Sequence, residues 1–172
     1  GVPQRGAAMY KNLHYKIILI FVIFTITLMT AIGAILISSA YNYYNNTFID
    51  QMESAFDPED TLYGELVSAF EENEWYRLQR ELLSSYGSVL GINKYRNYYI
   101  LDMNGNFLDG SDARLGAELE LTANIISAMA GETGSVKQLW TDYIDYALPL
   151  TNGERSCIVY IRDSQEEAPL RS

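Results

Sequence analysis

The sequence is poor in the residues that build metal and catalytic sites: it has one cysteine, Cys157, and one histidine, His14, among 172 residues. A lone cysteine cannot form an internal disulfide, and no CxxC spacing typical of a metal site occurs. The only histidine lies beside the longest apolar run, which excludes a Ser-His-Asp triad in the polar part, and no Gly-rich phosphate loop is present. We therefore expect no catalytic centre, no metal and no cofactor in these residues.

Positive charge is also scarce, and one long stretch has no charge at all. The formal net charge is −10, from 12 basic and 22 acidic residues. No charged residue lies between Ile17 and Ile49, and all 22 acids follow Ile49, where only nine basic residues accompany them. A domain this acidic lacks the clustered lysines and arginines that nucleic-acid binding requires. Nucleic acid is therefore excluded as an expected partner.

The uncharged run Ile17–Ile37 is long enough to cross a membrane. As a helix its 21 residues would span roughly 30 Å, the thickness of a bilayer's hydrocarbon core. Lys11 and Lys16 precede it, so the positive-inside rule predicts a cytoplasmic N-terminus and an extracellular remainder. The rival interpretation is a cleaved signal peptide, because Ser38 and Ala40 fit the small-residue spacing of a cleavage site. The apolar core of a signal peptide is, however, usually only about 7–15 residues long, which is shorter than this run. We predict an uncleaved anchor in the plasma membrane.

Helical spacing continues beyond the apolar run. Its stripe consists of Tyr41, Tyr44, Phe48, Met52 and Ala55. Asp57 followed by Pro58 predicts the start of a second helix, with Asp57 as its cap. Two further apolar stripes, Leu62, Leu66 and Phe70 and then Trp75, Leu78, Leu82 and Tyr86, extend the helical part.

From Asn97 onward the pattern changes to period two with turn signals between the strands. Five antiparallel strands are predicted, over residues 97–102, 107–110, 135–140, 143–150 and 155–163, with a helix over residues 120–131. The Asn152-Gly153 pair is the strongest short-range hairpin signal in the chain. Helices followed by antiparallel strands indicate an α+β domain with its helices on one face of the sheet.

Four features together resemble a known family: the basic start "MYKNLHYK", the apolar span, the long helix beyond it, and "YYILDMNGNFLDGSDARLG" from Tyr98 to Gly116. Over about Met9 to Asp163 the chain resembles the N-terminal input region of a bacterial membrane sensor histidine kinase. Its outer part is similar to the PAS-like sensor fold, also called PDC or single Cache. The resemblance implies a five-stranded antiparallel sheet with a long N-terminal helix, preceded by one transmembrane helix.

The function implied by this resemblance is that of an extracellular signal-sensing module. It would transmit ligand or partner binding across the membrane to a histidine kinase in the full-length parent, whose own partner is a response regulator. The 172 residues contain no phosphoacceptor-histidine region and no ATP lid, so this stretch is not expected to be an enzyme. Two alternatives stay open: the same module on a chemotaxis receptor or cyclic-dinucleotide synthase, and a secreted or anchored binding domain with no signalling role.

The expected organisation has six segments. They are a non-native leader (1–8), a cytoplasmic stub (9–16), the transmembrane helix (17–38), extracellular helices (39–90), the PAS-like sheet domain (91–163) and a tail before a second span (164–172). A homodimer through the helices of Tyr41–Phe70 is also expected, since receptors of this kind signal against a partner.

A ligand pocket is expected over the sheet, beneath the loop and helix after the second strand, where PAS-like sensors hold their ligands. The candidate lining residues are Arg96, Tyr99, Trp140, Tyr143 and Tyr146. Aromatic rings with one arginine suit a small carboxylate or an amino acid. The alternative is that these are ordinary core and strand residues.

An acidic run is the second candidate site, because nine acids and no basic residue lie between Asp50 and Glu74. The candidates for binding a cation or a cationic peptide are Asp57, Glu59, Asp60, Glu71, Glu72 and Glu74. Their spacing matches no calcium loop. The simpler interpretation is a solvated helix face.

Overall fold

The computed structural model describes residues 2–138 and 141–164, with side chains from Tyr10 onward. The chain divides into two units, residues 1–42 and 43–172. Helix α1 (Val2–Ala55) begins in the first unit and ends in the second.

The first unit contains the apolar run as a helix. Within the described residues, α1 is the one helix long and apolar enough to cross a membrane, and none of its most apolar window is buried. The hydroxyls of Thr25 and Thr30 each donate to the carbonyl four residues earlier, at 2.8 Å. These bonds satisfy two hydroxyl groups that would be costly to leave unpaired in an apolar environment.

The second unit contains the rest of the helices and the sheet. The helices are α2 (Thr61–Ser68), α3 (Trp75–Ser85), α4 (Gly87–Leu90), α5 (Ala113–Ala117) and α6 (Ala123–Met129). The strands are β1 (Arg96–Leu101), β2 (Phe107–Gly110), β3 (Ile144–Thr151) and β4 (Ser156–Asp163). These bounds confirm an α+β domain with a long N-terminal helix.

The second helix begins later than the sequence predicts. α1 ends at Ala55 and α2 begins at Thr61. Between them, Oδ1 of Asp57 accepts a hydrogen bond from the backbone N–H of Glu59 at 2.9 Å. Asp57 therefore closes a turn rather than capping a helix, because its side chain bonds the chain locally.

The four strands form one antiparallel sheet in the order β2-β1-β4-β3. Two local turns set the register of its outer pairs. In the β1–β2 turn, Oδ1 of Asp102 accepts from the N–H groups of Asn104 and Asn106 at 2.9 and 2.8 Å. In the β3–β4 turn, Gly153 has a φ of 103°, a conformation that glycine adopts at little cost. Both predicted hairpins are confirmed.

Helices cover both faces of the sheet, which corrects the prediction of helices on one face. On one face, side chains such as Tyr98 and Ile161 pack against α1 to α4 in one cluster. On the other face, Tyr99 and Tyr160 pack against Ile125 of α6. Alternate residues of a strand point to opposite faces, so each central strand contributes to both clusters.

The predicted fifth strand, residues 135–140, is not formed where the structure describes it. Residues 135–138 lie in irregular structure, and residues 139 and 140 lie outside the described residues. Among residues 131–138, only Gly134 pairs with the outer edge of β3, where it exchanges both backbone hydrogen bonds with Ala147 at 2.8 and 2.9 Å.

A buried side chain takes the place of the next rung of this ladder. Oδ1 of Asn124 accepts from the N–H of Val136 at 2.9 Å, and Nδ2 donates to the carbonyls of Val136 and Asp145 at 3.0 and 3.2 Å. The amide thus lies between two backbones that would otherwise bond each other. Pro149, two residues beyond Ala147 on this edge, has no N–H to leave unpaired.

Candidate functional site

A cavity of about 300 Å³ lies between the α6 face of the sheet and the segment that joins α5 to α6. The sheet and the residues next to its strands contribute Asn97, Tyr99, Tyr143, Arg162 and Ser164, and the covering segment contributes Leu115 and residues 118–122. The volume is at the lower end of the range of small-molecule sites, about 300–1,000 Å³. The location agrees with the pocket expected over the sheet beneath the segment after the second strand.

Local chemistry holds the covering segment in place. Oδ1 of Asp112 caps α5 by accepting from the N–H groups of Arg114 and Leu115 at 3.1 and 3.2 Å. The hydroxyl of Thr122 caps α6 by accepting from the N–H of Ile125 at 3.2 Å. Both caps follow the usual preference of short polar side chains for helix N-termini. The wall of the cavity is therefore anchored at both ends.

Arg162 is the cation of this cavity. Its guanidinium lies over the ring of Tyr143, with Cζ 3.8 Å from the ring centroid. No carboxylate forms an ion pair with it among the residues that the structure describes. A half-buried guanidinium held by an aromatic ring and lacking an anion is suited to bind a ligand carboxylate in a bidentate manner.

The two tyrosines of the cavity are neutral hydrogen-bonding groups. Burial, and secondarily the carboxylate of Asp112, raises the pKa of Tyr99 to about 12, while Arg162 opposes the shift. Burial also raises the pKa of Tyr143, with a further contribution from Asp145. Both hydroxyls therefore stay protonated at neutral pH and can donate to a ligand.

Of the five residues predicted to line the pocket, the structure brings two together. Tyr99 and Tyr143 both line the cavity. Trp140 lies outside the described residues. Arg96 and Tyr146 lie on the opposite face of the sheet, against α1. The five residues therefore do not form one site.

Arg96 is held in structural contacts. Its Nε donates to Oδ2 of Asp163 at 2.8 Å, and its Nη1 donates to Oε1 of Gln51 and the carbonyl of Leu90 at 2.8 and 2.9 Å. The guanidinium also lies 4.9 Å from the ring centroid of Phe48. Its donors are thus directed at the protein itself, and Arg162, which sequence reasoning missed, is the arginine of the cavity.

Tyr146 is likewise a core residue. Its ring stacks on Phe56 with 5.9 Å between centroids, and only 3% of it is exposed. Burial raises its pKa to about 12, with the carboxylate of Glu53 adding to the shift. It also borders a second, open groove beside β3.

The acidic candidates are spread over a surface rather than gathered around a point. Four of them, Glu59, Asp60, Glu71 and Glu72, border an open groove between α2 and α3. Glu74 pairs with Arg77 at 3.2 Å, and Asp57 bonds its local backbone. No group of three or more possible metal ligands occurs in the part of the chain that the structure describes. These acids fit the solvated face better than a metal site.

Cys157 is buried and unreactive by environment. Its Sγ donates to Oε1 of Gln79 at 3.3 Å, and burial raises its pKa to about 12. A thiol that stays protonated is a poor nucleophile.

No protein-family model matches this chain, and no curated protein matches it at a significant level.

Proposed function

We propose that this chain is the ligand-binding input module of a membrane-anchored sensor, with a PAS-like outer domain of the PDC or single Cache type. The observation that carries the proposal is the cavity over the sheet, in which the guanidinium of Arg162 lies on Tyr143 without an anionic partner among the described residues. A half-buried cation arranged in this way is suited to recognise a ligand.

The sheet supports a PAS-like fold at one further point. Gly134 pairs with Ala147 on the outer edge of β3. This bridge brings a fifth chain segment to the edge of the sheet, although residues 135–138 beyond it do not form a strand.

The anchor would be the apolar part of α1, with its N-terminus in the cytoplasm and the sheet domain outside the cell. Lys11 and Lys16 before the span support this orientation. The output would be a histidine kinase core joined beyond the sensor, acting on a response regulator.

The charges around the cavity favour a small zwitterion. Arg162 would take a carboxylate, and Glu118 and Glu120, which are exposed at the edge of the cavity, would attract an ammonium group. A free amino acid carries both a carboxylate and an ammonium group. We therefore propose a free amino acid as the ligand class, in preference to a plain carboxylate.

Thermal unfolding of the full chain in detergent micelles tests this proposal. Free amino acids, small carboxylates and simple amines would each be added as probes. We expect amino acids to raise the unfolding temperature by several degrees because they bind the folded state alone. Arg162→Gln should weaken that binding about tenfold or more.

Arg114→Gln is the matched control, since it removes the same charge from an exposed residue of α5 that does not line the cavity. It should bind as the parent does. Absence of any shift with the whole panel, or equal binding by the Arg162→Gln variant, would contradict the proposal.

A homodimer through α1 would use the exposed side of the helix. Phe48 and Met52, which lie within the Tyr41–Phe70 helices expected to form the dimer, are buried in the sheet domain, at 1% and 0% exposure. Tyr43, Thr47 and Asp50 lie on the exposed side. Disulfide trapping at Tyr43→Cys in membranes should give a dimer, whereas Phe48→Cys should not.

A further inference from the structure

Two consecutive rungs of the β1–β4 ladder lie at the boundary between the cavity and α1. Asn97 pairs with Arg162, and Arg96 pairs with Asp163. Asn97 and Arg162 line the cavity, whereas Arg96 and Asp163 contact α1 on the other face. Because neighbouring residues of a strand point to opposite faces of the sheet, a residue that lines the cavity lies directly beside one that contacts α1.

Asp163 lies between two cavity residues along the chain. Arg162 precedes it and Ser164 follows it, and both line the cavity. The backbone N–H of Ser164 donates to the carbonyl of Tyr95 at 2.8 Å, which ties this end of β4 to β1. A ligand that displaces the backbone of Arg162 and Ser164 would therefore also move the backbone of Asp163.

The side chain of Asp163 reaches α1 on the opposite face. Its Oδ2 accepts from Nε of Arg96 at 2.8 Å and from the hydroxyl of Tyr44 at 3.2 Å. Arg96 in turn donates to Gln51, about two helical turns beyond Tyr44 along α1, and Gln51 donates to the carbonyl of Val89 at 2.8 Å. Two residues of α1 are thus bonded to one ion pair.

The backbone at Gly91 lies close to the guanidinium of Arg96 and restricts its movement. Gly91 ends α4 with a φ of 72°, and a Cβ there would lie 2.6 Å from Nη1 of Arg96. The guanidinium is therefore confined between Gly91, Leu90 and α1. Because the two side chains have little room to rotate, a displacement of Asp163 also displaces Arg96.

We propose that the Arg96–Asp163 pair is the link by which occupancy of the cavity changes the contacts of α1. A ligand that draws Arg162 toward itself shifts the end of β4, and Asp163 then alters its bonds to Tyr44 and, through Arg96, to Gln51. This inference rests on the proposed function in taking the cavity as the ligand site. It is a population shift, in which the ligand favours one of two arrangements of the pair.

The test fills the cavity without the natural ligand. Glu118→Cys in the full chain, in detergent micelles, is labelled with 2-sulfonatoethyl methanethiosulfonate, which places a sulfonate at the cavity wall. Buried Cys157 stays unlabelled. Hydrogen exchange of residues 43–55 and 162–164 is then compared with that of the unlabelled protein. We expect the label to change exchange in both segments by about threefold or more, as a shift in local opening would.

Three comparisons make the test specific. The same label on Glu132→Cys, an exposed residue that does not line the cavity, should leave both segments unchanged. The variant carrying Tyr44→Phe and Gln51→Met loses the α1 side of the link but keeps both side-chain volumes. In this variant, labelling at position 118 should still change the hydrogen exchange of residues 162–164 but no longer that of residues 43–55.

The proposed link is wrong if the label does not change the hydrogen exchange of residues 43–55 in the parent. It is also wrong if the label changes that exchange equally in the variant with Tyr44→Phe and Gln51→Met. If Glu118→Cys does not fold, Glu120→Cys places the label on the same wall. Absence of binding by every probe of the panel, with a positive labelling result, would reject the proposed function but not the link. Successful ligand binding with no response of α1 would reject the link alone.

Discussion

Arg96 and Asp163 form an ion pair across the β1–β4 ladder, with 2.8 Å between Nε and Oδ2 and side-chain exposures of 11% and 5%. Asp163→Ala would leave a nearly buried guanidinium without its carboxylate. We expect it to lower the free energy of unfolding by about 3–5 kcal/mol, the usual result of breaking such a pair. Urea titration monitored by tryptophan fluorescence measures this loss.

The matched control is the exposed pair Arg77–Glu74, whose side chains are 65% and 72% exposed. Glu74→Ala should cost less than about 1 kcal/mol, because water screens the pair. Equal losses in the two variants would show that burial does not distinguish the pairs.

Asn124 replaces a rung of the sheet edge, and its removal should release the segment after Gly134. Asn124→Ala removes the amide that bonds the N–H and the carbonyl of Val136 and that donates to the carboxylate of Asp145. We expect a loss of about 2–4 kcal/mol. The amide of Val136 should exchange much faster than in the parent. The exposed Asn73→Ala should change stability by less than about 0.5 kcal/mol.

Gly134 is required for close packing. A Cβ at this position would overlap the backbone carbonyl of Asn124, which cannot move without breaking α6. Gly134→Ala should therefore lower the unfolding temperature by several degrees. Gly64→Ala, in α2 and with open space around the new Cβ, should raise stability by about 0.5–1 kcal/mol because alanine favours helix. A Gly134→Ala variant as stable as the parent would contradict the packing argument.

The buried tyrosines predict a loss of stability at alkaline pH. The folded state holds the pKa of Tyr99 and Tyr146 at about 12, above the ordinary value of 10.0. A raised folded-state pKa contributes stability that is fully present below pH 10 and is lost as the pH rises from 10 toward 12. Each group steepens the fall by at most about 1.4 kcal/mol per pH unit.

Urea midpoints between pH 8 and 11.5 would reveal this slope. Tyr99→Phe should flatten it, since one titrating group is removed while the ring remains. An unchanged slope in that variant would show that Tyr99 does not contribute to the alkaline transition.

Features that depend on neighbouring residues were predictable from the sequence. The apolar helix and both hairpin turns follow from local patterns, because a helix and a tight turn bond residues within a few positions of each other. The position of the cavity was also expected, but only through the resemblance of the segment after β2 to a known sensor fold.

The residues of the site depended on contacts between distant parts of the chain. Period two shows that Tyr99 and Arg96 point to opposite faces, but it does not tell which face meets α1 and which meets α6. The partner of Arg96 lies 67 residues away in Asp163, and Arg162 gains its place in the cavity from the same strand pairing.

By itself, then, the sequence determined where the apolar helix lies, where the chain turns and which residues alternate along each strand. Tertiary structure alone decided that helices cover both faces, that Asn124 interrupts the sheet edge, and that Arg162 rather than Arg96 lines the cavity. The reason is physical: local hydrogen bonding and hydropathy act within a few residues, whereas the choice of face and of ion-pair partner is made by packing between elements far apart in the chain.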